Sequence, residues 1–201
     1  MSASKRLPRP FFAQNTLDVA RQLLGMTLVR GNTAHRLAGI IVETEAYRGE
    51  EDQGCHARAG LTNRTQVMYG PPGHTYVYFT YGMHWMLNFV TESDGFPAAV
   101  LIRAIFPTEG LESFISSRDD RPPFQVTNGP AKLCRAFGID NRLNNVDLCS
   151  PDSPLFVETG VTISPESVTT GPRVGLNSVP EPWKSIPWRF HITHPDLLIS
   201  G

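Results

Sequence analysis

The run IIVETEAY holds the first residues able to do chemistry. At the alternation of a β-strand, Ile41, Glu43, Glu45 and Tyr47 fall on one face and Val42, Thr44 and Ala46 on the other. Two carboxylates and a phenol on one face suit general-base chemistry on water and the stabilisation of a developing positive charge. Glu45, the middle of three polar groups on that face, is the stronger candidate; Glu43 reads equally as part of a solvated face. Farther along, Arg103 interrupts the otherwise apolar AAVLIRAIF. A guanidinium is costly to bury unless an acceptor meets it. It therefore either sits at a strand edge in a structural ion pair or meets Glu45 at a reacting water.

TYVYFTYG adds three aromatic side chains. Tyr76 and Tyr78 share a face, Val77 and Phe79 take the other, and Tyr81 precedes Gly82 where the chain turns. Tyrosines at this spacing are ordinary sheet residues. Together with Tyr47 and His56, however, Tyr78 would supply flat faces and hydrogen-bonding tips for a nucleobase, and Tyr81 a bulky tip to fill the hole that a flipped base leaves. A carbohydrate-active hydrolase using Glu43 and Glu45 is an alternative, since alternate strand residues stand about 6.5–7 Å apart, near an inverting pair. Both carboxyls would point the same way, whereas that mechanism needs them flanking the bond. A non-catalytic nucleic-acid-binding module could use the tyrosines alone, and it leaves Arg103 without a role.

These side chains need a frame. Residues 1–14, with two prolines and three basic residues, read as a flexible N-terminal arm, and 15–201 as a single domain. Thr16 is positioned to cap a helix through NTLDVARQLLG that stops at Gly25. MTLVR and RLAGIIVETEAY read as a hairpin across Gly31 and Asn32, followed by a long loop to Gly73. HTYVYFTY and AAVLIRAIF are further strands, separated by MHWMLNFV and the turn SDGFP. Pro130 opens a helix that ends at Gly138, and LFVETG, VTIS and WRFHIT offer short strands. The expected class is α+β: a curved, mainly antiparallel β-sheet with a few packed helices.

Composition narrows the partners. A chain of 201 residues, 40% hydrophobic, fits one domain with its own core. No apolar run approaches the roughly 18 residues of a membrane span, and MSASKRLPRP lacks a secretory apolar region. A soluble protein that is not secreted is expected, cytoplasmic or nucleoid-associated in a prokaryote and nuclear in a eukaryote. Three cysteines without CxxC spacing indicate neither disulfides nor a metal site, and no cofactor is called for. The net charge of −1 argues against a broadly basic surface. Yet no acid lies between Asp52 and Glu92, a window that holds His56, Arg58, Arg64, His74 and His84, with all five tyrosines in or beside it. Such a stretch can grip a polyanion locally. Arg64 and Lys132 are the candidate phosphate contacts, with Arg58 and Arg135 as further ones.

IVETEAYRGEEDQGCHARAG, MYGPPGHTYVYFTYGMHWMLN, VLIRAIFPTEG and NGPAKLC, in that order, closely resemble the alkyladenine (3-methyladenine) DNA glycosylase family of the non-helix-hairpin-helix type. The resemblance runs from about Leu17 to about Phe190. It implies a curved antiparallel sheet and the excision of alkylated and deaminated purines from double-stranded DNA. By position, Glu45 corresponds to the general base, Arg103 to a residue that helps hold the water, and Tyr47, His56 and Tyr78 to the base pocket. It likewise makes Tyr81 the minor-groove wedge, Met68 an apolar contact beside it, and Asn88 the residue that crowds the 2-amino group of guanine. No lysine stands at a nucleophile position, so neither a Schiff base nor strand cleavage is expected. A monomer suffices for this chemistry.

Overall fold

The structure is a computed structural model that describes residues 6–31, 36–110 and 123–192. Eight strands form one sheet: β1 (Thr27–Gly31), β2 (Arg36–Arg48), β3 (Thr75–Thr80), β4 (His84–Val90), β5 (Ala98–Glu109), β6 (Leu155–Glu158), β7 (Val168–Gly171) and β8 (Arg189–Ile192). The order β3-β4-β5-β2-β1-β6 is antiparallel throughout, and β8, paired with β7, also pairs with β2. β2 is the hub: β5 lies along one edge, and the other is shared by β1 and β8. The α+β expectation, a curled antiparallel sheet with few helices, is met.

Among the described residues the helices are short: α1 (Arg9–Phe12), α2 (Thr16–Gln22) and α3 (Pro130–Ala136). The cap of α2 is Asn15, whose side chain accepts from the Leu17 N–H, and not Thr16. Thr16 instead donates through both its backbone N–H and its hydroxyl to Glu92 Oε1, so the helix start is tied to the loop after β4. The arm expected over 1–14 is also corrected. Leu7 and Phe12 are buried in the main core, Phe12 completely, and Leu7 N–H bonds Val157 O, so from there the chain is part of the fold. Residues 1–5 lie outside the described residues. VTIS, expected as a strand, is none; Val161 and Ile163 pack against the core beside Gly25.

The sheet separates two apolar clusters. On one face, α2 and α3 cover Ile41, Thr44, Ala46, Val100 and Ile102. On the other, the loop between β2 and β3, with 3-10 turns at His56–Ala59 and Gln66–Tyr69, covers Cys55, Ala57, Met68, Tyr76, Val90 and Ala99. Strict alternation fails in the middle of β2. Ile41 pairs with Ile105, Glu43 with Ala104 and Thr44 with Ile102, so Val42 is one residue extra on β2 and Arg103 one extra on β5. These adjacent bulges turn Ile41 into the core while Glu43, Glu45 and Tyr47 stay together on the loop face. Bulges re-aim side chains and increase local twist, and here the re-aimed side chain is Arg103.

Candidate active site

β2 and β5 bring the charged residues together. Glu45 is fully buried, pairs across the sheet with Leu101, and is held at three points. The Val174 N–H donates to Oε1 at 2.7 Å, the Tyr47 hydroxyl donates to Oε2 at 2.8 Å, and Arg103 Nη1 stands 3.3 Å from Oε1. A carboxylate offers about four lone-pair sites, so a position on Oε2 is left open. Arg103 Nε donates to Glu43 Oε1 at 2.9 Å, and Arg189 Nη1 reaches the same oxygen at 3.2 Å. Glu43 is therefore neither a solvated face residue nor a second free acid: it anchors Arg103.

Burial drives the proton affinity of Glu45 up. The Arg103 charge, the Val174 N–H and the Tyr47 hydroxyl pull it back only in part, so its pKa stays raised above 4.5. A carboxylate made more basic in this way is better matched to a neutral working pH. Burial also opposes the charge on Arg103, but Glu45 and Glu43 more than offset this and its pKa is raised. Tyr47 is pushed well above its ordinary value by burial and then by Glu45, so it remains a donor at any working pH.

Above this cluster lies a cavity of about 210 Å³. That is below the roughly 300–1,000 Å³ of drug-sized sites and fits a single flat ring. Glu45 does not line it, but all three of its partners, Tyr47, Arg103 and Val174, do. His56, Tyr78 and Asn88 line it too. His56 and Tyr78 already meet edge to face with centroids 4.6 Å apart, so they form one wall and leave Tyr47 to supply another. Asn88 is buried and donates from Nδ2 to Tyr76 O at 3.0 Å, which fixes its orientation between β3 and β4.

His56 carries its own support. Its Nδ1 is 3.0 Å from the Tyr76 hydroxyl and its Nε2 is 3.2 Å from Arg64 Nη2. A guanidinium only donates, so Nε2 accepts and Nδ1 carries the hydrogen. Burial first, then the charges of Arg64 and Arg58, lower the His56 pKa to about 4. The ring is thus neutral at neutral pH. Arg64 is exposed and also lies 5.1 Å over the Tyr78 ring, so the candidate phosphate contact is at the same time the outer brace of the aromatic wall. Lys132 is exposed on α3 and donates to Asn128 Oδ1, while Pro130 at the start of that helix lines the cavity.

Tyr81 stands at the cavity mouth, 81% exposed. It forms the first of two left-handed residues in the β3–β4 turn, with φ +52° at Tyr81 and +65° at Gly82, closed by Met83 N–H to Thr80 O. Both central residues at positive φ are the mark of a type I′ turn. Glycine takes this conformation freely, whereas a tyrosine there is strained. Met68 lines the same cavity. It is buried under the loop in the cavity wall, and the exposed apolar neighbour of Tyr81 is Met83. The signal for Met83 is its place two residues beyond Tyr81 in a turn that must protrude.

Reasoning from sequence also missed Arg173, Asp52 and Val174. Arg173 and Asp52 form a fully buried pair, Nη1 to Oδ2 at 2.5 Å and Nη2 to Oδ1 at 2.7 Å. In sequence Asp52 is one of a run of acids typical of a surface, and Arg173 sits in GPRVG, where no periodicity marks burial.

Fold and site together define an α+β protein with a buried, basic carboxylate behind an aromatic cleft at a protruding hairpin. Residues 10–196 match the family described as methylpurine-DNA glycosylase. A protein of Methanocella arvoryzae, assigned as a 3-methyladenine DNA glycosylase, is 50% identical over 186 residues, 92% of this chain and 91% of that one. One of Carboxydothermus hydrogenoformans with the same assignment is 43% identical over 92% of this chain and 94% of its own. Another, of Myxococcus xanthus, is 44% identical over 97% and 94%. The chain belongs to the methylpurine-DNA glycosylase family, enzymes of base-excision DNA repair. Among the described residues, no helix is long and apolar enough to cross a membrane.

Proposed function

We propose that the chain is a monofunctional glycosylase that flips alkylated or deaminated purines out of duplex DNA and hydrolyses their N-glycosidic bonds. The substrates are 3-methyladenine, named in the relatives' assignments, with 7-methylguanine, hypoxanthine and ethenoadenine. The observation that carries the reading is Glu45: a carboxylate with raised pKa whose three partners form the floor of an aromatic cavity. Arg103 meets Oε1 at 3.3 Å, the loosest of the three contacts, and Oε2 accepts only from Tyr47, so a water reaching Glu45 from the cavity past Arg103 would take the open site on Oε2. As the C1′–N bond breaks, its electron pair leaves with the purine and the sugar becomes cationic. The water oxygen then bonds C1′ and Glu45 takes its proton.

Purines alkylated at N3 or N7 leave readily because they already carry positive charge, which also favours stacking on Tyr47 and Tyr78. Asn88 would crowd the 2-amino group of guanine. Tyr81, with Met83, would fill the gap in the duplex, and Arg64 and Lys132 would meet phosphates. Among the described residues no lysine lines the cavity, which supports hydrolysis without a Schiff base or strand cleavage. Glu43 is held by two arginines, and this counts against the two-carboxylate sugar hydrolase.

The test is base release from labelled duplexes carrying a single hypoxanthine or 1,N6-ethenoadenine and from methylated DNA, with wild type and Glu45→Gln side by side. Free base from wild type with an uncut abasic strand, and binding without release by Glu45→Gln, is the expected result. Release by Glu45→Gln at the wild-type rate would remove Glu45 as the base, and no release by wild type from any substrate would leave a binding module.

A further inference from the structure

We propose that Arg173 is a positioning residue for base excision: from beneath the cleft its guanidinium holds the Val174 N–H on Glu45 and sets the strand and loop that carry Tyr47 and His56. The inference rests on Glu45 acting as the base. Three segments must meet for the site to exist, and Arg173 bonds two and belongs to the third. Its Nη1 donates to Ala46 O at 3.0 Å, the carbonyl between Glu45 and Tyr47, and its Cζ lies 4.7 Å over the Tyr47 ring. Through Asp52 it reaches the loop: Asp52 Oδ1 also accepts from the Gly54 N–H at 2.9 Å, just ahead of Cys55 and His56. On its own segment, the next residue supplies the N–H that meets Glu45 at 2.7 Å. Trp183 O and the Trp188 ring complete its surroundings.

Two features separate a positioning device from plain stabilisation. A buried ion pair is weak evidence for stability, since well-packed apolar side chains do as well. What apolar side chains lack is a planar fork of donors that fixes several acceptors at once. The packing is also exclusive of other shapes. A Cβ at Gly54 would stand 2.7 Å from Arg173 Nη2 and 2.7 Å from Leu176 Cδ1, so the residue before Cys55 is small where the guanidinium passes.

The experiment compares wild type, Arg173→Met/Asp52→Asn and Gly54→Ala. The double variant leaves no unpaired buried charge, and Gly54→Ala keeps both charges but displaces the fork. Single-turnover release from methylated duplex DNA is followed from acid to alkaline pH, with melting temperature and affinity for the damaged duplex measured alongside. Roughly a 10²-fold loss of rate is expected, the cost of a small misplacement of reacting groups, with affinity changed less than the rate. The acid limb should move to higher pH, because the Val174 N–H is one of the contacts that lower the Glu45 pKa. Of the other charged or titratable groups facing Glu45, Glu43 on β2, Arg103 on β5 and Arg189 opposite it on β8 keep partners of their own, while Tyr47, without the guanidinium over its ring, holds Glu45 less firmly and moves the limb the same way. Where the double variant does not fold, Gly54→Ala alone decides between the outcomes. A wild-type rate and acid limb in the folded variants would overturn the inference, as would a rate loss that follows melting temperature with the limb unmoved. Inactive wild type would sink the glycosylase reading itself, a different outcome.

Discussion

Arg103→Met removes a cation from between two carboxylates, and its cost can be worked out. Arg103 is 13% exposed and meets Glu43 at 2.9 Å and Glu45 at 3.3 Å. Leaving a buried charge without its partner costs roughly 3–5 kcal/mol. Glu43 keeps Arg189 at 3.2 Å, so the low end applies, about 3 kcal/mol. For a chain of this size, about 2–4 °C per kcal/mol gives a fall in Tm of roughly 6–12 °C. The pH dependence has a definite sign. Glu45 already has a raised pKa in the folded state, so its contribution to stability is full below the unfolded value and lost as pH rises through the folded one. Without Arg103 the folded value rises further, so the loss is widest above neutrality and narrows where Glu45 is protonated. Thermal melts at about pH 5 and about pH 8 read this directly, and the acid limb of excision should shift upward with it. An equal loss of Tm at both pH values would refute the assignment of the cost to Glu45.

The tip of the hairpin gives a trade in the opposite direction. Tyr81→Gly relieves a strained left-handed residue and should raise Tm by about 2–4 °C, the effect of about 1 kcal/mol. The same change should slow excision from duplex about 10–100-fold, with little effect on a single-stranded substrate, since unstacking a base takes a few kcal/mol; equal losses on both substrates would count against a wedge. Arg64→Ala should raise the His56 pKa from about 4 while leaving it below its ordinary value, because burial is the larger cause. NMR titration of the imidazole reports it, and an unmoved value would show that Arg64 does not brace the ring.

Much of this was legible from residues alone, for reasons that can be named. Period-two patterning placed Glu45 and Tyr47 on one face because β2 is regular from Thr44 to Arg48. The same rule misplaced Ile41, since the bulge at Val42 lies between it and Glu43. Arg103 announced itself as a charge in an apolar strand. Arg173 did not, because its burial comes from a turn and two tryptophans that no periodic pattern describes. Phe11 and Phe12 beside two prolines have the look of a loose arm, although burying an aromatic side chain against Phe89 is enough to draw the segment in. Met68 and Met83 show the remaining limit: a motif fixes a position in sequence, and only packing decides that the first is buried and the second exposed.

The paired bulges also bear on how such a site can be altered. One extra residue on β2 and one on β5 cancel, so the strands pair in the same register on either side of them. Val42 and Arg103 are therefore a matched surplus. Deleting either alone would throw the remaining ladder out of step by one residue and turn side chains to the wrong face. Deleting both would leave a ladder regular from Gly39 to Arg48, with no guanidinium from β5 beside Glu45. Chemistry is thus written into this sheet as a detachable insertion, one that inheritance or design can add or remove without rewriting the strands around it.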